Sequence, residues 1–208
     1  MSAALKVAVV DYGVGNLFSV EKALRAAGAE ALVTKDAAEI AGAAKIVLPG
    51  VGAFGDCMKN LAASGLIPAI ERKVRGGCPL LGICVGLQIL FVGSEESPGV
   101  AGLGWLSGTV RKIHAPGLKV PHIGWNDLAV AASRPAPDLF AGLTASPYVY
   151  FVHSYAAVPD DPAIVTAAVT YGTRLTAAVQ RENIMATQFH PEKSGDVGLS
   201  ILQNFVRG

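Results

Sequence analysis

The sequence predicts an α/β fold, with a doubly wound, mostly parallel central sheet flanked by helices and an antiparallel or mixed extension in its C-terminal half. Strand-like and helix-like segments alternate through the first half. In the second half, β-rich segments joined by Pro and Gly turns follow one another, and 51% of the 208 residues are hydrophobic. Alternation favours parallel pairing, whereas consecutive strands favour antiparallel pairing. No repeat or linker divides the chain, so residues 1–208 are predicted to form a single domain.

In the first half, short runs rich in Val, Ile, Leu and Ala predict buried strands. These runs are residues 6–10, 31–34, 45–48 and 79–83. Apolar residues recur at helical spacing from Asn16 to Ala27, and Gly28 is predicted to close that helix. Another helix is predicted to end at residues 72–76.

The second half is predicted to be mainly β, with Pro and Gly residues marking the turns. Its strands are expected at residues 109–113, 122–128, 148–152, 164–170 and 176–180. Leu199, Leu202 and Phe205 recur at helical spacing and predict an amphipathic closing helix over residues 197–206. Residues 131–144, rich in Ala and Pro, are expected to form a surface loop or an edge.

Charge and composition argue against several classes of protein. The formal net charge of +1 gives no basic surface for nucleic acid, and no apolar run has the length of a membrane span. The first residues lack the basic segment of a signal peptide, and three cysteines, an odd and sparse number, predict reduced thiols in the cytoplasm. The cysteine spacing matches no zinc pattern, so we expect no metal and no cofactor.

The most informative segment is Gly82-Ile83-Cys84-Val85-Gly86, between a predicted strand and a predicted helix. Glycines two residues before and after a nucleophile permit the sharp turn of a nucleophile elbow. A thiol there would sit at a helix N-terminus, whose dipole favours thiolate, and the N–H of Val85 would be free to donate to an oxyanion. From the motif alone, a buried structural cysteine remains an alternative. Cys57 and Cys78 lack such glycines and are interpreted as structural.

A general base is predicted at His190, just after the end of an apolar strand. Catalytic groups of α/β folds cluster at the carboxyl ends of strands. Glu192 can accept the second N–H of the imidazole, which would complete a set of nucleophile, base and orienting carboxylate. Among the other histidines, His114 and His122 are interpreted as structural, and His153 has a binding role as an alternative.

Six segments form a distinctive combination across nearly the whole chain. They are Asp11-Tyr12-Gly13-Val14-Gly15-Asn16-Leu17, Leu48-Pro49-Gly50-Val51-Gly52-Ala53-Phe54, Gly82-Ile83-Cys84-Val85-Gly86-Leu87-Gln88, Pro121-His122-Ile123-Gly124-Trp125-Asn126, Tyr150-Phe151-Val152-His153-Ser154-Tyr155 and Gln188-Phe189-His190-Pro191-Glu192-Lys193-Ser194-Gly195. Together they resemble the class I, or triad-type, glutamine amidotransferases. More narrowly, they resemble the glutaminase subunit of imidazole glycerol phosphate synthase, from histidine biosynthesis. Many relatives have Leu and Met where this chain has Val85 and Leu87, and both changes keep apolar side chains.

The resemblance implies a cysteine-based reaction on the small-molecule substrate glutamine. Cys84 would attack the side-chain amide, forming a γ-glutamyl thioester and releasing ammonia, while His190 shuttles protons and Glu192 orients His190. The oxyanion hole would use the backbone N–H groups of Val51 and Val85. The Val51 amide is expected to point away from the site at rest and to turn inward on activation.

Glutamine binding is implied for Gly50, Gly52, Gln88, Ser154 and Tyr155. The two glycines let their loop approach the substrate, whereas the other three residues would hold its amino-acid end. Positioned polar groups of this kind are what distinguishes an amide from a carboxylate.

A partner protein is also implied. In the family, a cyclase subunit with a (β/α)8 barrel forms a heterodimer with the glutaminase and receives its ammonia without release to bulk water. The cyclase then makes imidazole glycerol phosphate and aminoimidazole-carboxamide ribotide, and glutamine hydrolysis is weak until nucleotide occupies the cyclase. Asn16, Trp125 and Lys193 match positions near the cyclase face and are nominated as interface residues.

Three other functions compete with this interpretation. The glutaminase subunit of another class I amidotransferase would share the triad, but Pro-His-Ile-Gly-Trp-Asn argues against it. A cysteine hydrolase or protease of related fold has no need of a glutamine pocket. A non-catalytic nucleotide-binding module is prompted by Gly13-Val14-Gly15, but Phe18 stands where the third glycine of a dinucleotide-binding motif would be.

Overall fold

The computed structural model describes residues 4–144 and 146–208, which form two sheets and the helices that cover them. The strands are β1 Lys6–Val10, β2 Glu30–Thr34, β3 Lys45–Gly50, β4 Leu80–Cys84, β5 Gly108–Lys112, β6 His122–Val130, β7 Tyr148–His153, β8 Tyr155–Pro159, β9 Val165–Tyr171, β10 Thr173–Arg181 and β11 Ile184–Thr187. The α-helices are α1 Leu17–Ala26, α2 Ala37–Gly42, α3 Phe54–Ala63, α4 Ile67–Arg75, α5 Val85–Gln88 and α6 Gly195–Arg207. Two 3-10 turns are Pro162–Ile164 and Pro191–Lys193.

The larger sheet has nine strands in the order β2-β1-β3-β4-β11-β10-β9-β6-β7. Its first five strands pair in parallel. From β11 to β7 every pairing is antiparallel. The predicted fold class, a mostly parallel α/β sheet with an antiparallel extension, is confirmed.

The central parallel strands β3, β4 and β11 are buried on both faces because helices cover them. Every residue of β3, β4 and β11 is buried, so their sequences are nearly continuous apolar runs. Helix α1 packs Val20 and Leu24, four residues apart, into the same core, and it is followed by Gly28 at φ +97°, as predicted. No helix in the described part of the chain is long and apolar enough to cross a membrane.

Several elements differ from the sequence prediction. Strand β5 does not join the main sheet but pairs antiparallel with β8 in a sheet of their own. Strand β8 and helices α2 and α3 were not predicted, and β11 was anticipated only as an apolar strand ending before His190. Helix α5 begins at Val85 as expected, but it has only four residues, so its dipole is weaker than that of a long helix.

Residues 131–144 form a loop, in agreement with the prediction, but the loop is firmly attached. Leu139 and Phe140 are buried in the core. Asn204 of α6 donates to the carbonyls of Leu139 and Ala141, at 2.9 Å each, and Gln180 of β10 donates to the Pro137 carbonyl at 3.1 Å. The loop therefore closes over the end of α6 rather than standing free in solvent.

Candidate active site

The topology brings Cys84 and His190 together. Strands β4 and β11 are parallel neighbours, with Ile83 opposite Thr187, so their carboxyl ends lie side by side. Cys84 is the last residue of β4, and His190 follows β11 after two residues. This sheet order therefore brings the thiol and the imidazole together at the ends of adjacent strands, as predicted.

The backbone at Cys84 has the strained geometry of an elbow. Its φ of 58° and ψ of −112° lie outside the regions that non-glycine residues ordinarily occupy. A Cβ on Gly86 would collide with the Leu48 carbonyl of β3, and one on Gly82 would lie 2.9 Å from the Gly86 carbonyl oxygen. The glycines are therefore required by close backbone packing, which holds Cys84 in its strained conformation.

His190 and Glu192 form a buried pair behind the thiol. The imidazole Nδ1–H donates to Glu192 Oε1 at 2.7 Å, and both side chains are almost completely shielded from solvent. Burial lowers the pKa of His190, but the neighbouring Cys84 and Glu192 outweigh this effect and raise the pKa to about 9. Among the described residues, no group forms a hydrogen bond with His190 Nε2. This nitrogen is therefore available to the thiol and to the substrate.

The backbone around His190 is fixed from two directions. Its N–H donates to the Tyr150 carbonyl of β7 at 3.1 Å. Its carbonyl accepts from Ser194 Oγ at 2.7 Å and from the Lys193 N–H at 3.0 Å. Ser194 Oγ in turn accepts from the Tyr150 N–H at 3.0 Å, so strand β7 sets the position of the base.

The glycine-rich loop after β3 is held by two buried side chains. The Tyr12 hydroxyl donates to the Pro49 carbonyl at 2.6 Å, and the Cys57 thiol donates to the Val51 carbonyl at 3.4 Å. Burial raises the pKa of Tyr12 far above its usual range and that of Cys57 to about 11, so both groups keep their protons. The peptide between Gly50 and Val51, whose N–H is the predicted oxyanion donor, lies between these two held carbonyls.

A cavity of about 410 Å³ opens in front of the thiol. It is lined by Val51, Gly52, Cys84, Val85, Gln88, Glu96, Pro121, Val152, His153, Ser154, Tyr155, His190 and Lys193. Most of the residues predicted for catalysis and glutamine binding therefore border one space. The described residues contain no cluster of His, Cys, Asp or Glu that could hold a metal ion.

Gly50 and Glu192 lie behind the cavity wall rather than in it. A Cβ on Gly50 would lie 2.6 Å from the Gly86 nitrogen, so Gly50 lets the oxyanion loop pack against the elbow. Direct binding of glutamine by Gly50 stays a prediction. Glu192 reaches the site only through His190, as expected for an orienting carboxylate.

The three nominated interface residues lie in different places. Lys193 is exposed at the cavity, Trp125 is 54% exposed on β6, and Asn16 occupies the N-cap of α1 without making a capping side-chain bond. Trp125 packs edge-on against Tyr150, with ring centroids 6.1 Å apart. Their role in binding a partner stays a prediction.

Two polar residues of the site were missed by sequence reasoning. Glu96 supplies a carboxylate to the cavity lining, and its Oε2 accepts from the Phe54 N–H at 2.8 Å. Gln188 is fully buried and donates from Nε2 to Cys84 Sγ at 3.8 Å. Glu96 lies in an irregular loop with no local pattern, whereas Gln188 lies in the His-Pro-Glu segment, whose pattern gives it no role.

Residues 8–208 match the family model described as glutamine amidotransferase class-I. The chain belongs to the class-I glutamine amidotransferases. Among relatives, this amidotransferase is 51% identical to imidazole glycerol phosphate synthase subunit HisH of Syntrophotalea carbinolica, with 96% of this chain and 98% of that protein covered. It is 49% identical to the subunit of the same name from Methanothermobacter thermautotrophicus, with 96% and 97% covered. At these identities the amidotransferase groups with the HisH subunits.

Solved structures agree on the amidotransferase fold. The structure of PurLQS from Thermotoga maritima matches with a TM-score of 0.76 at 22% identity, covering 98% of each chain. A crystal structure described as glutamine amidotransferase matches with a TM-score of 0.75 at 23% identity, covering 97% of this chain and 99% of that one. At such low identity these likenesses establish the fold alone.

Proposed function

We propose that this amidotransferase is the glutaminase subunit of imidazole glycerol phosphate synthase and hydrolyses glutamine to glutamate and ammonia. The observation that carries the proposal is the arrangement of Cys84 on its strained elbow, with the His190–Glu192 pair behind it and one cavity in front. The half-identical HisH relatives select this synthase among class-I amidotransferases. Residues 1–208 act as one glutamine amidotransferase domain, which the continuous hydrophobic core supports.

The reaction begins at the sulfur. The Cys84 thiolate attacks the side-chain carbonyl carbon of glutamine, forming a C–S bond, and the negative charge passes to the carbonyl oxygen. As the oxyanion collapses, the C–N bond breaks and the His190 imidazolium gives its Nε2 proton to the leaving nitrogen, which departs as ammonia. A water molecule then attacks the thioester while His190 takes its proton, and glutamate leaves as the C–S bond breaks. Glu192 stabilises the imidazolium throughout.

The oxyanion is stabilised by backbone donors. The Val85 N–H, at the first residue of α5, and the Val51 N–H are the proposed pair. Tyr12 and Cys57 hold the carbonyls on either side of the Gly50–Val51 peptide, so a rotation that turns the Val51 N–H inward can be confined to that peptide. This supports the expectation that the donor turns inward only on activation.

The cavity offers groups that suit each end of glutamine. Glu96 carries the negative charge that the α-ammonium requires, and Lys193 at the cavity carries the positive charge for the α-carboxylate. Gln88 gives its NH2 group to the Tyr155 carbonyl and to Gln188 Oε1, so it can serve glutamine only through its own oxygen. Ser154 and Tyr155 close the same side of the cavity.

The name of the HisH relatives implies that the chain works with a partner subunit. We propose that this partner is a cyclase with a (β/α)8 barrel, that the two form a heterodimer, and that ammonia passes between their active sites. Trp125 and Lys193, with Asn16, would contribute to the contact, and Lys193 would bring the contact to the cavity itself. We place the complex in the cytoplasm, where the three free thiols would stay reduced.

The test is glutamate production from glutamine by the purified chain, alone and with its cognate cyclase and the cyclase's nucleotide ligand. We expect a large rise in the complex that disappears with Cys84→Ala. Activity that rises with the cyclase of a different synthase, and not with this one, would contradict the assignment. Glutamate production that persists in Cys84→Ala would contradict the chemistry.

A further inference from the structure

A row of four buried amide and imidazole side chains, those of His122, His153, Gln88 and Gln188, ends at the nucleophile. Gln188 donates from Nε2 to Cys84 Sγ at 3.8 Å, and its Oε1 accepts from Gln88 Nε2 at 3.0 Å. The triad mechanism does not use Gln188. Its side chain is nevertheless completely buried, and its donor group is directed at the reacting sulfur.

The direction of these hydrogen bonds is fixed by a backbone carbonyl. Gln88 Nε2 also lies 3.1 Å from the Tyr155 carbonyl oxygen, which can only accept. Gln88 must therefore present its NH2 group to both neighbours. It follows that Gln188 presents its oxygen to Gln88 and its own NH2 to the sulfur, because the opposite orientation would place two NH2 groups face to face.

Two histidines fix the same carbonyl from its other side. His153 Nδ1 donates to the Tyr155 oxygen at 2.9 Å, so His153 Nε2 is the acceptor for His122 Nδ1 at 3.0 Å. His122 Nε2 then accepts from Asn126 Nδ2 at 3.4 Å. Each ring nitrogen of His122 and His153 is therefore either a donor or an acceptor, and only one tautomer of each histidine satisfies these hydrogen bonds.

The histidine pair is neutral and tightly packed. Burial lowers the pKa of His153 to about 4 and also lowers the pKa of His122. The His122 ring stacks against Phe151 and Tyr171, at centroid distances of 4.7 and 4.0 Å. The row thus stays uncharged at neutral pH, and its rings cannot easily turn.

We propose that Gln188 is a further catalytic residue, which donates a hydrogen bond to the Cys84 sulfur and stabilises its thiolate. We propose that His122 and His153 are positioning residues, which hold the Tyr155 carbonyl in place and thereby keep the amides of Gln88 and Gln188 in the orientation that makes this donation possible. The inference rests on the proposed function, in which Cys84 reacts as a thiolate. It gives the buried histidines, interpreted from the sequence mainly as structural, a part in the chemistry.

The chain provides a matched control for an ordinary buried glutamine. Gln180, on the neighbouring strand β10, is also buried and also donates one hydrogen bond, to the Pro137 carbonyl at 3.1 Å. Its partner is a loop carbonyl rather than a reacting atom. Gln188→Met and Gln180→Met therefore remove the same groups from similar surroundings, and both should destabilise the fold.

The experiment measures two quantities for each variant: the rate of Cys84 alkylation by iodoacetamide against pH in the full chain, and kcat and KM for glutamine in the complex with the cyclase. The titratable groups near Cys84 are His190 with Glu192 behind it, Tyr12, Cys57, the cavity-lining residues Glu96, Tyr155 and Lys193 and, beyond them, His153. All of them are unchanged in both variants. A shift in the alkylation profile therefore reports the lost donor.

For Gln188→Met we expect the alkylation midpoint to move to higher pH and kcat to fall roughly 10- to 100-fold, with KM within a few-fold of wild type, because a hydrogen bond to a charged group is lost. For Gln180→Met we expect the alkylation midpoint to stay at the wild-type pH and kcat to stay within about twofold of wild type. Equal alkylation profiles and equal kcat for the two variants would overturn the proposal. Wild-type chain that makes no Cys84-dependent glutamate would instead refute the proposed function, while the alkylation profile would still test the hydrogen bond.

The histidine pair is tested by replacing His153. In His153→Asn the side-chain NH2 can take the position of Nδ1 and keep the bond to the Tyr155 carbonyl, whereas His153→Leu removes it. We expect His153→Leu to shift the alkylation midpoint in the same direction as Gln188→Met, and His153→Asn to shift it less. Equal shifts in the two variants, or none in either, would overturn the positioning role.

Discussion

The centre of the large sheet and its β6–β7 edge are built in opposite ways. In β3, β4 and β11 every residue is buried, and the backbone geometry at the strand ends carries the nucleophile, the base and the oxyanion loop. Strand β6 alternates instead, with Ile123 and Trp125 on an exposed face and His122 and Asn126 on the other. On β7, Tyr148 is exposed on the same face as Trp125, since Trp125 lies opposite Tyr150.

The difference separates the residues proposed for the reaction from those proposed for partner binding. A buried, glycine-packed centre holds strained geometry because close packing allows no alternative. An edge with one exposed aromatic face can bind another protein on that face while its other face touches the site. Strand β6 does both within a few residues, since Trp125 faces outward and His122 faces the row that ends at Cys84. The edge is where we propose that the partner binds, and the Gly50–Val51 peptide is the part of the centre proposed to move on activation.

Removal of the nucleophile has the largest expected effect and tests whether the centre and the β6–β7 edge act separately. Cys84→Ala should lower glutamate production by at least about 10⁴-fold, because the thioester cannot form. Affinity for the cyclase should stay within about twofold, since the thiol lies at the bottom of the cavity and not on the edge. Titration calorimetry with the cyclase and a coupled glutamate assay check both. A large loss of affinity would show that the centre and the edge are not separate.

Gly86→Ala tests whether packing holds the elbow. The added methyl group would meet the Leu48 carbonyl, and we expect a loss of roughly 3 kcal/mol or more in the free energy of unfolding. Gly42→Ala is the control, because nothing lies within 4 Å of a Cβ there and the position ends a helix. Chemical denaturation measures both variants. Equal stability of the two would contradict the close-packed elbow.

Glu192→Gln tests how the base is held. We expect kcat to fall roughly 100-fold or more, because the carboxylate that stabilises the imidazolium is lost. The pKa of His190, raised to about 9 in the native site, should drop. Since the native pKa lies above the ordinary value of 6.5, stability from the charged imidazole is present in full below pH 6.5 and lost as pH rises through about 9. Glu192→Gln should reduce this dependence.

NMR titration of the imidazole and denaturation at several pH values check this result. An unchanged His190 titration in Glu192→Gln would show that the carboxylate does not hold the charge.

The smallest effect is expected at the edge. Trp125→Ala should weaken cyclase binding by about 2 kcal/mol, or roughly 30-fold, as an exposed aromatic anchor of an interface does. The stability of the isolated chain should change by no more than about 0.5 kcal/mol. Val158→Ala is the control, since Val158 is an exposed hydrophobic residue on β8, in the other sheet. If both variants bind the cyclase equally well, the β6–β7 face is not the interface.

Site residues could be predicted from the sequence where their role depends on a few adjacent residues. Cys84 and its glycines could be recognised because the elbow's requirement lies within five residues, and His190 because strand ends meet in α/β sheets. Glu96 could not be found, because it reaches the cavity from an irregular loop. The role of Gln188 depends on residues 88 and 155, which only tertiary structure brings together.

The same limit explains the errors in the fold. Strand β5 has the β-rich pattern of a sheet strand, and nothing in that pattern says which sheet it joins. Helix α5 follows the elbow as expected, but nothing in the elbow sequence says that it ends after one turn. Which strand pairs with β5, and where helix α5 ends, both depend on packing against residues that are distant in sequence.

The place of β11 in the sheet has a consequence for how the protein is made. This strand is the last in sequence among those described, yet it lies in the middle of the sheet between β4 and β10. Gln188 follows it and is 104 residues beyond Cys84. At a synthesis rate of about 5–20 residues per second, roughly 5–20 seconds pass between the synthesis of Cys84 and that of the general base His190. A nascent chain therefore carries its thiol for that interval without the means to release ammonia.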